Sequence, residues 1–143
     1  MTDNLQLLSA MLKTIQTGQV EIRSVLDTPL GSGLRSTLES QLREYDSIEP
    51  EAFTIALQRG WELPELDPGR RFLKDRVTRI KIIKDRNTDS RIADILIQGN
   101  TKGMIRGLKH LHQLQTQDHQ ILVLSQKLLD CERAHIRQMQ SFL

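Results

Sequence analysis

Apolar residues recur alternately three and four positions apart along most of the chain, with polar residues between them, and that period is helical. Leu5, Leu8, Leu12, Ile15, Gln19, Ile22 and Leu26 place a first helix over about Asp3 to Leu26. Thr28-Pro29, then Gly31 and Gly33, mark a turn. Leu34, Leu38, Gln41, Tyr45, Ile48, Ala52 and Ile55 draw a second helix over about Gly33 to Gln58, ended by Gly60. Pro50 falls inside it and is expected to kink the helix near Ser47 or split it there. A third helix over about Asp89 to Gln115 carries a broad apolar face of Ile92, Ala93, Leu96, Ile97, Met104, Leu108, Leu111 and Leu114, with Thr88 or Asp89 as N-cap. Ile121, Leu124, Leu128, Cys131, His135, Met139 and Phe142 give a fourth over about Asp118 to Phe142, with Asp118 as N-cap.

The lengths of the connections decide how these helices are joined. Helices one and two share a short turn, and so do three and four at residues 115–117, so each pair is expected to be an antiparallel hairpin. Residues 61–88 between the pairs are far more than a hairpin needs. Pro64, Pro68 and Gly69 keep their start irregular, and a short helix over Phe72 to Asp85 competes with the β-branched Val77, Thr78, Ile80, Ile82 and Ile83. Each long helix measures roughly 36 to 40 Å, a distance the connection can travel. The expected fold class is therefore all-α: a single domain over 1–143, a four-helix bundle of two antiparallel hairpins joined by a long crossover (residues 61–88), as in ferritin-like folds. A plain up-down-up-down bundle with an ornamented loop is the alternative.

Composition agrees with helices. The chain has 143 residues, 38% of them hydrophobic and only 3% aromatic, which suits a helical bundle better than a β-sandwich. A formal net charge of +2 names no nucleic-acid or membrane partner. The single cysteine, Cys131, has no disulfide partner within the chain, so a reducing, cytoplasmic setting is expected. Asp3, Asn4, Gln6 and Lys13 interrupt any signal-like apolar run, and no stretch is long enough to span a membrane. Nine basic residues lie between Arg70 and Arg91, offset by Asp75, Asp85 and Asp89. Such a segment can contact nucleic acid. A solvated surface is the plainer account, because Phe72 is the one aromatic there to stack on a base.

The candidate chemistry sits in the middle of the helices. Gln19, Gln41, Tyr45 and His135 occupy apolar-face positions, and Glu132 lies within its own face, so polar groups from three helices share one layer. Glu132-Arg-Ala-His135 is half of a carboxylate-bridged di-metal site, which takes Glu-x-x-His from two helices and a Glu from each of two others. The rest is missing: Glu21 projects away, Glu44 lies toward the edge, Asp94 points outward, and the inward side of helix three offers Asn100 and His110 with no carboxylate. Three accounts of the layer follow. It is a hydrogen-bonded network that fixes how the helices meet, or Glu132 reaches solvent beside an ordinary core histidine, or Glu132 and His135 hold metal, as one transition-metal ion or within a di-metal centre. The first is favoured, with a degenerate metal site, no catalytic residue and no cofactor. Cys131 is expected to be a small core hydrophobe, with no histidine–cysteine dyad. Gly99, Gly103 and Gly107 stand four apart on helix three, where another backbone or a large side chain comes close. No phosphate loop, nucleophile elbow or zinc spacing occurs, so an enzyme is not expected.

Several strings resemble ferritin-like proteins of spore-forming bacteria, the spore coat protein F-like set and related bundles: Ala56-Leu57-Gln58-Arg59-Gly60-Trp61, and Ile95 through Ile105 with Gly99 and Gly103. The resemblance implies a ferritin-like bundle, often dimeric, without an established enzymatic role. It points to a structural or assembly protein that pairs with a second copy of itself, in the cytoplasm of a bacterium or in its spore.

Overall fold

The structure is a computed structural model that describes residues 3–63, 88–114 and 118–143. Among those residues it is all-α, with helices α1 (Asp3–Leu26), α2 (Ser32–Gln58), α3 (Thr88–Gln113) and α4 (His119–Gln140) and no strand. No helix among them is long and apolar enough to cross a membrane. The expected helix over Phe72 to Asp85, the turn at 115–117 and most of the basic segment lie outside the described residues.

Each helix is formed by the pattern that predicts it. On α2 every seam residue from Leu34 to Ile55 is buried, the two polar ones included. On α1 the buried face is wider than the seam and adds Leu7, Met11, Gly18, Glu21 and Val25. The reason is placement: α1 packs along α2, meets α3, and touches α4 across the centre. The α3 face is narrower than expected. Ile92, Ala93 and Leu96 are buried, whereas Met104, Leu108, Leu111 and Leu114 are only partly so.

Pro50 neither splits nor ends α2. The proline is exposed, so the Asp46 carbonyl that loses its helical donor faces water, and the buried run Tyr45, Ile48, Ala52 and Ile55 holds the helix on its other side. The end of α2 is set by Gly60 at φ 66°. There the Trp61 N–H donates to the Ala56 carbonyl (2.9 Å) and the Gly60 N–H to the Leu57 carbonyl (3.2 Å), a Schellman close. Asp118 caps α4, its carboxylate accepting from the Ile121 N–H at 3.3 Å.

Long-range contacts fix which ends meet. The Asp89 carboxylate, at the start of α3, accepts from the Gly31 N–H at 3.1 Å, just ahead of α2. Its negative charge there also suits the positive end of the α2 dipole. Arg59, just past α2, pairs with Asp118 at the start of α4 and donates to Gln120 (3.0 Å). Arg35 of α2 donates to the Leu26 and Thr28 carbonyls (3.1 and 3.0 Å), closing the end of α1.

Candidate metal centre

Cys131 and His135 are one helical turn apart on α4, so their side chains project from the same face. Cys131 Sγ lies 3.3 Å from His135 Nε2. From α2, the Glu44 side chain reaches across and places Oε2 3.1 Å from His135 Nε2 and 3.3 Å from Cys131 Sγ. Among the described residues this is the one group of three His, Cys, Asp or Glu ligand atoms within 4.8 Å of one another. His135 is fully buried and Cys131 is buried, while the Glu44 side chain is 43% exposed and gives the site its opening to solvent.

Burial lowers the His135 pKa, against the opposing pull of Glu44, so the contact is a hydrogen bond from a neutral imidazole to a carboxylate and not an ion pair. The tautomer that suits it carries the proton on Nε2, which leaves Nδ1 buried without a partner. Burial also raises the Cys131 pKa far above its usual range, and the hydrogen bond to Glu44 adds to this. The thiol is therefore protonated and donates to Glu44. A protonated thiol is a poor nucleophile, so the trio lacks the activated thiolate of a cysteine hydrolase.

The donor set suits a divalent ion of intermediate softness. Thiolate, imidazole and carboxylate together carry two negative charges and match Zn²⁺ or its neighbours better than Mg²⁺ or Ca²⁺. A tetrahedral ion with bonds of about 2.0 to 2.3 Å holds its ligand atoms roughly 3.3 to 3.7 Å apart. The observed edges of 3.1 to 3.3 Å need to widen by only a few tenths of an ångström.

The five residues of the expected polar layer are all buried, but they do not form one network. Tyr45 Oη donates to Glu132 Oε1 at 2.6 Å. Its ring meets the His135 ring edge-on, centroids 5.0 Å apart, and Glu132 and His135 turn to different partners. Gln19 donates to Asp46 Oδ1 and Gln41 to Gln138 Oε1, both at 2.9 Å, so each amide ties two helices near the bundle surface and neither reaches Glu132. Glu132 is 2% exposed and does not extend to solvent. Burial pushes its pKa up to about 7 despite the Tyr45 hydrogen bond, and nearby Glu21 adds to the rise.

Three expectations are corrected. Glu21 does not project away; it is 6% exposed and lines a small pocket with Tyr45, Asn100 and Glu132, because α1 is covered on three sides. Glu44 lies toward the edge, 43% exposed, but it is not outside the site, since its long side chain reaches Cys131 and His135. A histidine–cysteine contact does exist, and the signal for it was the Cys-x-x-x-His spacing. Of the α3 glycines, a Cβ on Gly107 would stand 3.3 Å from Leu129 and one on Gly103 3.4 Å from Thr14, while Gly99 lines the pocket beside Glu21. Among the glycines within the described helices the closest approach is on α1: a Cβ on Gly18 would meet the Tyr45 ring at 2.6 Å.

In comparisons with protein-family models, curated proteins and solved structures, none matches this chain.

Proposed function

We propose that this chain is a metal-binding helical bundle that holds one Zn²⁺-class transition-metal ion through Glu44, Cys131 and His135. One observation carries the proposal: three ligand atoms of different chemistry converge from two helices to within 3.3 Å. The ion would displace the thiol proton and take Nε2 of the imidazole tautomer that carries its proton on Nδ1, so that only the thiol proton leaves; it would clamp α2 to α4 and leave a fourth position open toward the exposed side of Glu44. The bundle then acts as a metal-responsive structural element and needs no catalytic step.

The ferritin-like arrangement is part of the same proposal. The starts of α2 and α3 share one end of the bundle, and the end of α2 meets the start of α4 at the other. A connection over residues 61–88 that joins opposite ends agrees with two hairpins and a crossover. A ferritin-like di-metal site using Glu132 with His135 is less well supported, because Tyr45 occupies one oxygen of Glu132.

Cobalt substitution tests the centre. Co²⁺ added to the purified chain should bind in a one-to-one ratio and give a thiolate-to-cobalt charge-transfer band with intense tetrahedral d–d bands. Cys131→Ser should remove the first, and Glu44→Gln should weaken binding by about tenfold or more. Absence of the charge-transfer band in the folded wild-type chain would end the proposal.

A homodimer is the second reading. It is favoured by Phe53 and Leu57, one turn apart on α2 and both exposed, Leu57 at 82%.

A further inference from the structure

A cavity of about 100 Å³ lies between α1, α3 and α4, apart from the Glu44–Cys131–His135 trio. It exists because small residues face one another there. Gly103 and Gly107 on α3 carry no side chain, and Ala10 and Ser125 supply little bulk from α1 and α4. Leu7, Met11, Leu128 and Leu129 form apolar walls.

The two ends of this cavity differ in charge. At the inner end is Glu132, whose Oε1 is taken by Tyr45 while its Oε2 is buried without a hydrogen-bond partner. That oxygen faces α3, since a Cβ on Gly103 would stand 4.0 Å from it. Leaving a buried carboxylate oxygen unpartnered is costly, and a donor brought by a ligand removes the cost. At the outer end Lys13, Arg106 and His110 line the mouth, and Arg106 is exposed. Lys13 and Arg106 make no ion pair within 4 Å among the described residues, although Arg106 is near enough to Glu132 to favour its charged form.

The order is acid within, apolar walls, cations at the rim, and the geometry points to a ligand with the reverse order: a short ω-amino acid, its ammonium on Glu132 Oε2 and its carboxylate at Lys13 and Arg106. Each end excludes a simpler ligand. A plain alkylamine meets two cations as it enters, and a plain fatty acid drives a methyl group against a carboxylate. An α-amino acid carries both charges on one carbon and cannot reach both ends. Size sets the chain length. A cavity of about 150 Å³ takes up benzene, so about 100 Å³ suits a spacer of roughly four methylenes with the carboxylate outside.

Calorimetric titration with 5-aminovalerate tests this, with its isomer norvaline and the singly charged pentylamine and valerate as comparators. Saturable one-to-one binding of 5-aminovalerate is expected, with each comparator weaker by about tenfold or more. Glu132→Gln and Arg106→Gln should each cost about tenfold in affinity. Arg106 is exposed, so its variant keeps the test decisive whatever Glu132→Gln does to stability. Gly103→Ala, which adds a methyl group inside the cavity, should also weaken binding. No saturable heat, which would mean the cavity holds water only, overturns the proposal. So does pentylamine or valerate binding as well as 5-aminovalerate, or undiminished binding in Arg106→Gln. None of Glu44, Cys131 and His135 touches the ligand, so the outcome is independent of the metal proposal.

Discussion

At the residue scale, Glu132 makes the sharpest prediction. Its pKa rises from an ordinary 4.5 to about 7 on folding, because burial disfavours the charged form. Folding therefore takes up a proton. The stability this group contributes is full below about pH 4.5 and is lost as pH rises through about 7, by roughly 3 kcal/mol in all. His135 slopes the other way: its lowered pKa makes stability fall as pH drops below the ordinary 6.5. Glu132→Gln keeps an acceptor for Tyr45 Oη and removes only the first slope. Urea denaturation should show the variant close to wild type at about pH 5 and more stable by about 2 to 3 kcal/mol at about pH 8. The buried state of Glu132 and His135 was legible from helical spacing alone. Glu44 was not, because spacing fixes where a Cα sits and not where a long side chain folds back. Cys131 read as a small hydrophobe because its partner Glu44 is 87 positions away. Glu21 was misplaced because a projection of α1 alone does not count how many neighbours cover it.

At the element scale, helix ends were read more reliably than interruptions, and faces only where one stripe is buried. The α2 seam was complete in the sequence because α2 buries one narrow stripe. The α3 face was overdrawn past Leu96, where glycines and the cavity replace side-chain mass. Pro50 is expected to kink α2 or split it; the split does not occur, because burial of the opposite face holds the helix continuous. Asp118 offers a test of the caps. It accepts from the Ile121 N–H and pairs with Arg59, so it serves α4 and ties it to the end of α2. Asp118→Ala should lower stability by about 1 to 2 kcal/mol in chemical denaturation, and Asp118→Asn, which keeps the cap and loses the charge, by less than half of that.

At the scale of the whole molecule, exposed Phe53 and Leu57 on α2 give the proposed homodimer a test. If a second copy covers Phe53 and Leu57, sedimentation velocity should show a dimer that Leu57→Arg dissociates with little change in thermal midpoint. A monomer at every concentration would remove the dimer reading. Asp89 on Gly31 fastens the first pair of helices to the second at one extremity, and Arg59 on Asp118 does so at the other. Each fastening is polar and close to the surface, whereas the apolar interior runs between them. Salt or acid should therefore loosen the two tips first, and the pairs would part like a zip opened from both ends while the middle still holds.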